Sequence, residues 1–268
     1  MDFSSQTLVL TGATGGIGQA IAQALAAKGA RLLLVARHED DLRLLAEQLA
    51  ASNGTEDKYH WVRADLTTTM GRYAIIEAAK KMNANGLINN AGISQFDALK
   101  NITEEDFHQA MEINLLAPIC LSRAFLYQFN QQQNKTVINV GSALGSIGFP
   151  YYTSYCASKF GLRGFTEALK RELADTQHTV LYFAPRATQT TMNSDAVNQM
   201  NAMLGNSIDS PQKVAEALIA QLSSGASRTI VGWPEKLLAL LNGLLPGVVD
   251  KALAKKLKSI SHLIHGSK

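Results

Sequence analysis

Apolar and polar residues follow two patterns along this chain. Short runs rich in leucine and β-branched residues predict strands, and longer stretches with apolar residues at helical spacing predict helices. The predicted strands are residues 7–10, 31–35, 60–64, 86–90, 136–140, 179–183 and 229–231. The predicted helices are residues 16–28, 40–51, 70–82, 104–129, 154–174 and 211–223. This alternation predicts an α/β fold: a single doubly wound Rossmann-type domain with a mostly parallel seven-stranded sheet and helices on both faces.

Local signals predict two helix ends. Gly29 can adopt the left-handed conformation that ends a helix after Lys28, and Thr103 with Asp106 forms an acidic capping box that begins one. Residues 186–206 are expected to form a less regular insertion. We therefore expect a nucleotide-binding and catalytic domain over residues 1–232, with a substrate lid at about 186–210, and a helical tail over residues 233–268.

The composition narrows the classes of function. With 46% hydrophobic residues in 268, the chain can bury a full core, and 25 basic against 22 acidic residues do not indicate a nucleic-acid partner. Cys120 and Cys156 lie far apart without metal-ligand spacing, so we expect neither a metal site nor a disulfide. The first residues lack the pattern of a signal peptide, and the apolar stretch 237–249 is too interrupted for a membrane span. We expect a cytoplasmic protein.

A glycine-rich segment follows the first predicted strand and opens the first predicted helix. Its predicted cofactor-binding residues are Gly12, Thr14, Gly15, Gly16, Ile17 and Gly18. Backbone N–H groups and the positive end of a helix would converge there on a pyrophosphate, and glycine allows the backbone to approach the phosphate closely. The alternative is a tight turn between strand and helix that binds nothing.

Three side chains further along are candidates for proton transfer. Tyr155 and Lys159 lie four residues apart in a predicted helix, so both can point at one bound molecule. A free tyrosine has a pKa of about 10 and needs a nearby positive charge to act near neutrality, which Lys159 supplies. Ser142, thirteen residues before Tyr155, can donate a hydrogen bond to the same substrate oxygen. Taken singly, each is more often an ordinary helix or turn residue.

Together these features resemble the short-chain dehydrogenase/reductase family. The glycine loop and the Tyr155-x3-Lys159 pair are joined, in the family's order, by further landmarks over residues 7 to about 190. These are Asp65, Leu66, Asn89, Asn90, Ala91, Gly92, Asn114 and Ser142. The resemblance implies an oxidoreductase in which Tyr155 gives its proton to a carbonyl oxygen as hydride arrives from a nicotinamide ring.

The resemblance also implies roles for the other landmarks. Lys159 would bind the nicotinamide ribose, and Asn114 would hold a water that links Lys159 to solvent. Asp65 and Leu66 would bind the cofactor, with Asp65 facing the adenine. The ribose of the adenosine would be lined by Asn90, Ala91 and Gly92. Without a ligand, such strand-end residues would only form turns.

The end of the second predicted strand bears on the choice of nucleotide. An enzyme that binds a ribose with free hydroxyls usually places an acidic side chain there, and this chain has Ala36. Arg37 follows with a planar, permanently charged group that suits a 2′-phosphate, which favours NADP over NAD. The alternatives are that Arg37 is solvated and that Glu39 binds a ribose.

The chain departs from the family's pattern after the sixth predicted strand. The family usually has Pro-Gly there, and this chain has Pro185 and Arg186. Arg186 therefore implies an altered backbone path or an added charge beside the cofactor. Pro185, Thr188 and Thr190 still match positions that resemble the nicotinamide and phosphate contacts.

The regions expected to face the substrate are apolar. They comprise Leu144, Ile147, Phe149, Pro150, Met192, Met200, Met203 and Leu204. These residues fit a small hydrophobic carbonyl or alcohol substrate, and they would equally be needed to pack a mobile lid. Two other functions stay open: an NADP-sensing regulatory protein without catalysis, and a tyrosine-dependent isomerase or dehydratase.

The tail concentrates positive charge, with six lysines against two acidic residues from Trp233 onward. Leucines at helical spacing precede the lysines, and Pro246 should break the helix in two. One hypothesis is that the tail closes the substrate site and lies on an anionic membrane surface. The alternative is that its apolar face packs on a second subunit. The family resemblance implies a homodimer or homotetramer through helices 104–129 and 154–174.

Overall fold

Seven parallel strands form one sheet through the middle of the protein. The computed structural model describes residues 2–54, 57–128 and 134–265. The strands are β1 Thr7–Thr11, β2 Arg31–Ala36, β3 Tyr59–Arg63, β4 Gly86–Asn89, β5 Thr136–Val140, β6 Thr179–Ala184 and β7 Arg228–Ile230. Their spatial order is β3-β2-β1-β4-β5-β6-β7, with every neighbouring pair parallel. The order reverses between β1 and β4, the position where such sheets bind ligands.

Helices cover both faces of the sheet. They are α1 Gly16–Ala27, α2 Glu39–Asn53, α3 Thr69–Lys81, α4 Glu104–Met111, α5 Ala117–Tyr127, α6 Thr153–Glu172, α7 Asp195–Leu204, α8 Pro211–Ser224, α9 Trp233–Leu244 and α10 Pro246–His265. Successive strand residues point to opposite faces. Leu8 and Leu10 pack in a cluster with α1, α2 and α8, whereas Val9 packs with α3, α5 and α6. The predicted doubly wound fold is confirmed.

Both predicted helix ends are confirmed. Gly29 has a φ of +85°, and Thr103 and Asp106 form a reciprocal capping box at the start of α4. The predicted helix 104–129 changes geometry in its middle, where a π-helical turn, Glu112–Leu116, joins α4 to α5. Pro118 has no N–H to donate to the carbonyl of Asn114 four residues earlier, which accounts for the wider turn there. The predicted end at Phe129 lies outside the described residues.

The segment Glu104–Tyr127 is also apolar enough to span a membrane by length and composition. Half of its most apolar window is buried inside the protein, however. Leu121 and Phe125 are fully buried against the sheet. Its hydropathy is therefore that of a helix in the core.

The prediction of an irregular insertion over residues 186–206 was wrong in its second half, which contains helix α7. The Ser194 side chain accepts a hydrogen bond from the N–H of Val197, and Gly205, with a φ of +62°, ends the helix. Val197 and Met200, three residues apart, are buried on one face. A capping serine and a terminal glycine were present in the sequence and could have indicated this helix. In the tail, α9 and α10 meet at Pro246, where the break is predicted.

Candidate active site

A cavity of about 600 Å³ opens at the carboxyl ends of the strands. Nearly all of the predicted site residues line it: Gly12, Thr14, Gly15, Gly16, Ile17, Gly18, Arg37, Asp65, Leu66, Asn90, Ala91, Gly92, Ser142, Tyr155, Lys159, Pro185, Thr188 and Thr190. Asn114 is fully buried behind the cavity wall. The topology brings these residues together because the carboxyl ends of parallel strands lie along one edge of the sheet.

The glycine loop presents bare backbone to the cavity. Gly12 has a φ of +65°, and a Cβ on it would lie 2.8 Å from the Cα of Ala91. Helix α1 begins after Gly15 without a side-chain cap and without an acidic residue in its first turn. A Cβ on Gly16 would lie 3.1 Å from Cγ2 of Thr190, so the segment after β6 covers the loop. Free N–H groups at a helix N-terminus fit an anion such as a dinucleotide's pyrophosphate.

Two of the predicted cofactor residues also form turns. Asn90 donates from Nδ2 to the carbonyls of Thr11 and Gly12, at 3.0 and 3.2 Å, and so holds the start of the glycine loop. Asp65 accepts hydrogen bonds from the N–H and hydroxyl of Thr67, which lower the pKa of its carboxyl group. The turn roles that the sequence left open are thus present, and both residues still line the cavity.

The three candidate catalytic side chains converge on the other half of the cavity. Tyr155 and Lys159 lie in the first half of α6, and Ser142 follows β5. The Ser142 hydroxyl lies close enough to the phenol of Tyr155 to lower its pKa. The Lys159 ammonium donates to the carbonyl of Val140 at 3.0 Å and lies 5.8 Å from the centre of the Tyr155 ring. One substrate oxygen could therefore meet both hydroxyls.

Asn114 connects this group to the loop after β4. Its Oδ1 accepts from the N–H of Ile93 at 2.9 Å, and its Nδ2 donates to the carbonyl of Ile93 and to the hydroxyl of Ser158. A Cβ on Gly92 would lie 3.0 Å from Oδ1 of Asn114 and 3.5 Å from Nζ of Lys159. The side chain therefore positions the loop next to Lys159.

Burial dominates the ionisation of the catalytic pair. It raises the pKa of Tyr155 to about 12, against a lowering contribution from the hydrogen bond with Ser142, and it lowers the pKa of Lys159 to about 8. Both shifts favour the neutral form because a low-dielectric site penalises charge. The sequence had led us to expect a stabilised phenolate, and the raised pKa of Tyr155 is the opposite. At neutral pH the phenol keeps the proton that it would donate to a carbonyl oxygen.

Tyr182 of β6 supports the Ser142 segment and was not predicted as a site residue. Its hydroxyl donates to the carbonyl of Ser142 at 3.4 Å and accepts from the N–H of the same residue at 3.5 Å. A Cβ on Gly141 or Gly145 would overlap the Tyr182 ring or hydroxyl. Gly141 and Gly145, on either side of Ser142, therefore leave room for the phenol of Tyr182. These glycines were present in the sequence and could have indicated a bulky neighbour at this segment.

Arg186 has ionic partners on two other segments. It donates to both carboxylate oxygens of Asp209 at 2.8 Å and lies 3.5 Å from Glu235 at the start of α9. Lys213 donates to Asp209 as well, at 2.8 Å. The added charge expected beside the cofactor is thus paired, and it joins the segment after β6 to the tail.

The far wall of the cavity comes from α7 and the tail and is largely apolar, although Asn201, Glu235 and Lys256 also line it. Its residues include Val197, Met200, Leu204, Leu238, Val249 and Leu253. Tyr152, Ile147, Leu144 and Phe149 line the side next to Ser142. Met200 and Leu204 were predicted on the substrate side, but no single tail residue was predicted there. The wall follows from long-range packing, in which Ile260 of α10 is buried with Tyr152 and Met200.

Comparison with known proteins matches the chain to one family. The family model of the short chain dehydrogenases matches residues 6–201, which include the glycine loop, Ser142, Tyr155 and Lys159. Over 268 residues the chain is 29% identical to the uncharacterized oxidoreductase YxnA of Bacillus subtilis, covering 96% of this chain and 74% of that protein. It is 31% identical to the 3-oxoacyl-acyl-carrier-protein reductase FabG of Rickettsia bellii, covering 87% of this chain and 95% of that protein.

Solved structures of short-chain dehydrogenases have a similar fold. A short-chain dehydrogenase from Sphingobium yanoikuyae in complex with NADPH has a TM-score of 0.77 at 25% identity, covering 91% of this chain and 95% of that one. A short chain dehydrogenase/reductase from Burkholderia phymatum in complex with NAD has a TM-score of 0.81 at 20% identity, covering 91% and 94%. The sheet order, the cavity and the family match agree, and the chain belongs to the short-chain dehydrogenase/reductase family of oxidoreductases.

Proposed function

We propose that this chain is an NADP(H)-dependent oxidoreductase that interconverts a carbonyl and an alcohol on a small hydrophobic substrate. The observation that carries the proposal is the convergence of Ser142, Tyr155 and Lys159 in the same cavity as an uncapped helix N-terminus. The three side chains suit proton transfer at a substrate oxygen, and the helix N-terminus suits a phosphate. Neither the regulatory function nor the isomerase or dehydratase function has a feature of its own that favours it.

In this proposal each residue acts on the substrate oxygen or holds the cofactor. The nicotinamide supplies or accepts the hydride when the cofactor is bound. Tyr155 donates its phenolic proton to the carbonyl oxygen, and Ser142 donates a hydrogen bond to that oxygen. The Lys159 ammonium stabilises the phenolate that remains and binds the nicotinamide ribose. For alcohol oxidation Tyr155 takes the proton back.

The cofactor-binding residues are proposed from their positions around the cavity. Gly12 through Gly18 would hold the pyrophosphate, Asp65 and Leu66 the adenine, and Asn90 through Gly92 the adenosine ribose. Thr188 and Thr190 follow β6 beside the glycine loop and would contact the nicotinamide side, with Pro185 directing the chain there. NADP is favoured because exposed Arg37 lines both the cavity and the neighbouring surface depression, whereas Glu39 lines only that depression.

Replacing Arg37 by Ala should weaken NADPH binding selectively. A hydrogen bond between charged groups contributes roughly 1.5–3 kcal/mol, so we expect the Kd for NADPH to rise by about tenfold or more. The Kd for NADH should stay unchanged because NADH has no 2′-phosphate. Titration of both nucleotides measures this, with Arg43→Ala on α2 as the matched control since Arg43 is exposed and pairs with Asp40. Equal weakening of both nucleotides would exclude Arg37 as the phosphate ligand.

The pH dependence of carbonyl reduction should follow Lys159. With a pKa of about 8, this ammonium is charged below that pH and neutral above it. Tyr155, with a pKa of about 12, stays protonated across the same range. We expect kcat/KM for reduction to fall as the pH rises through about 8, and the fall to move to higher pH in Lys159→Arg, because a guanidinium stays charged. A fall at the same pH in that variant would assign it to another group.

Testing the proposed activity needs an identified substrate. The apolar lining of Leu144, Ile147, Phe149, Met200 and Leu204 favours hydrophobic ketones, acyl thioesters and the corresponding alcohols. A panel of these with NADPH or NADP⁺, followed at the nicotinamide absorbance, should give turnover. Tight NADPH binding without an absorbance change on any of them would favour the regulatory alternative.

We further propose a cytoplasmic homodimer or homotetramer. Phe107 of α4, Leu116 of the π-helical turn and Phe160 of α6 are exposed on the segments predicted to pair. Exposed large apolar side chains on adjoining elements are typical of subunit contacts. A dimer with two-fold symmetry would bury these three side chains on both subunits.

A further inference from the structure

Helix α9 turns its polar side toward the protein. Glu235, Ala239 and Asn242 lie on one face, at helical spacing of four and three residues, and all three are partly buried. Glu235 faces Arg186, and Nδ2 of Asn242 donates to the carbonyl of Ser146 at 3.0 Å. No residue of α9 is fully buried. Two polar contacts therefore help to attach this helix to the rest of the fold, together with Leu238, which lines the cavity, and the partly buried Leu241.

The opposite side of α9 is apolar and exposed. Trp233, Leu237, Leu240 and Leu244 recur at helical spacing there, with exposed fractions of 75%, 46%, 58% and 69%. Leu245 and Val248 extend the surface into the start of α10, with exposed fractions of 56% and 55%. Soluble monomers rarely expose so many adjoining large apolar side chains, and such patches mark binding surfaces. We call these six residues the α9 surface.

Helix α10 has the usual orientation and supplies positive charge beside the α9 surface. Val249 and Ile260 are buried, and Val249 and Leu253 line the cavity. The lysines of this helix are exposed: Lys251, Lys255, Lys256 and Lys258. Asp250 is the one acidic residue between Pro246 and His265. The two helices thus combine an apolar surface with a cluster of cations.

We propose that the α9 surface inserts into an anionic lipid membrane while the lysines of α10 contact the phosphate headgroups. Apolar side chains that enter the interface, together with lysines near anionic lipid, are the combination that holds peripheral helices on membranes. Charge complementarity favours an anionic bilayer over a second copy of the chain, because a second copy carries the same positive tail.

The membrane surface would lie next to the substrate cavity. Leu238 of α9 lines the cavity one residue after Leu237 of the α9 surface, and α10 lines it through Val249 and Leu253. An apolar substrate could therefore pass from the bilayer into the cavity. This last step rests on the proposed function, whereas membrane binding does not.

Vesicle co-sedimentation tests the proposal on the full-length protein without any substrate. Vesicles of phosphatidylcholine with phosphatidylglycerol, and of phosphatidylcholine alone, are compared at about 0.01 M and about 1 M salt, where the screening length is about 30 and about 3 Å. We expect binding to the anionic vesicles at low salt, with a large loss at high salt. Failure to bind anionic vesicles at low salt, or equal binding to both vesicle types at both salt concentrations, would overturn the proposal.

Variants separate the contribution of the α10 lysines from that of the α9 surface. Replacing Lys251, Lys255 and Lys258 by Gln should lower partitioning by about a hundredfold, since each lysine near an anionic surface contributes about 1 kcal/mol, or about fivefold. The double variant Leu240→Glu, Leu244→Glu should lower it at least as much. Met70→Glu is the control because Met70 is 74% exposed on α3. Circular dichroism verifies folding, which these exposed changes should leave intact.

Light scattering on the same variants tests the alternative, in which the α9 surface contacts a second copy of the chain. If Leu240→Glu, Leu244→Glu lowers the oligomeric mass and leaves vesicle binding unchanged, the α9 surface is a subunit contact and the membrane proposal is wrong. Vesicle binding should persist in Tyr155→Phe. Loss of activity and loss of membrane binding are therefore separable results.

Discussion

Tyr155→Phe is expected to abolish turnover while leaving nucleotide affinity unchanged. The variant keeps the ring but removes the proton that the proposed mechanism transfers to the carbonyl oxygen. General acid catalysis contributes roughly 10²- to 10⁴-fold, so kcat for ketone reduction should fall within or beyond that range. The Kd for NADPH, measured by fluorescence titration, should stay the same because Lys159 and the glycine loop are retained.

Tyr152→Phe provides a matched control. Tyr152 lines the same cavity, and its ring centre lies 5.8 Å from that of Tyr155. The two variants remove the same atom from neighbouring rings that both line the cavity, so any general effect on packing should appear in both. Only Tyr155→Phe should lose kcat by orders of magnitude. Near-native turnover in Tyr155→Phe would exclude Tyr155 as the general acid and would return the isomerase and regulatory functions to consideration.

Local patterns were enough to predict the sheet, most helices, the glycine loop and the Tyr155–Lys159 pair, whereas most of the other cavity residues were predicted from the family resemblance. A strand buried on both faces needs only a short apolar run, as in β1 and β2, and a strand-to-helix turn that approaches a phosphate needs glycine at fixed positions. Tyr155 and Lys159 share a helix face because of their spacing alone. Each of these signals lies within a few residues of sequence, so no knowledge of distant contacts was needed.

Features that depend on distant residues were missed. The hydroxyl of Tyr182 bonds to Ser142, forty positions away, and Arg186 pairs with Asp209 and Glu235 on two other segments. The charge of Arg186 could be predicted from the sequence, but its partners could not. Similarly, the sequence pattern of α9 indicated an amphipathic helix, but the contacts that orient it, Asn242 with Ser146 and Glu235 with Arg186, join distant segments. The raised pKa of Tyr155 has the same origin, because burial is set by the whole fold.

Asp209→Ala should cause the largest loss of stability among single changes near the site. The Asp209 side chain is 2% exposed and accepts from Arg186 twice and from Lys213. Removing one member of a buried ion pair costs about 3–5 kcal/mol because the remaining charge loses its partner in a low-dielectric site. For a protein of this size we expect Tm to fall by about 10 °C, measured by thermal unfolding. Asp250→Ala, at an exposed position of α10, should leave Tm unchanged.

A double variant shows whether the loss of stability arises because Arg186 is left without its carboxylate partner. Arg186→Gly restores the residue usual in the family and removes the charge that Asp209 neutralises. If the ion pair accounts for the loss, Arg186→Gly with Asp209→Ala should be clearly more stable than the sum of the single effects implies. Additive effects would instead assign the loss to contacts of the Asp209 side chain other than that with Arg186, such as the hydrogen bond from Lys213.

The stability difference between wild type and Asp209→Ala should also depend on pH in a defined direction. Hydrogen bonds from Arg186, with smaller contributions from Lys213 and the two cations' charges, lower the pKa of Asp209 below its unfolded value of about 3.9. A carboxyl group with a lowered folded pKa stabilises the protein fully above its unfolded pKa, and this contribution is lost as the pH falls through the folded pKa. The two proteins should therefore differ most near neutrality and converge in acid. A difference in unfolding free energy that stayed constant from pH 7 to strongly acidic solution would show that the charge of Asp209 is not what holds this segment to Arg186.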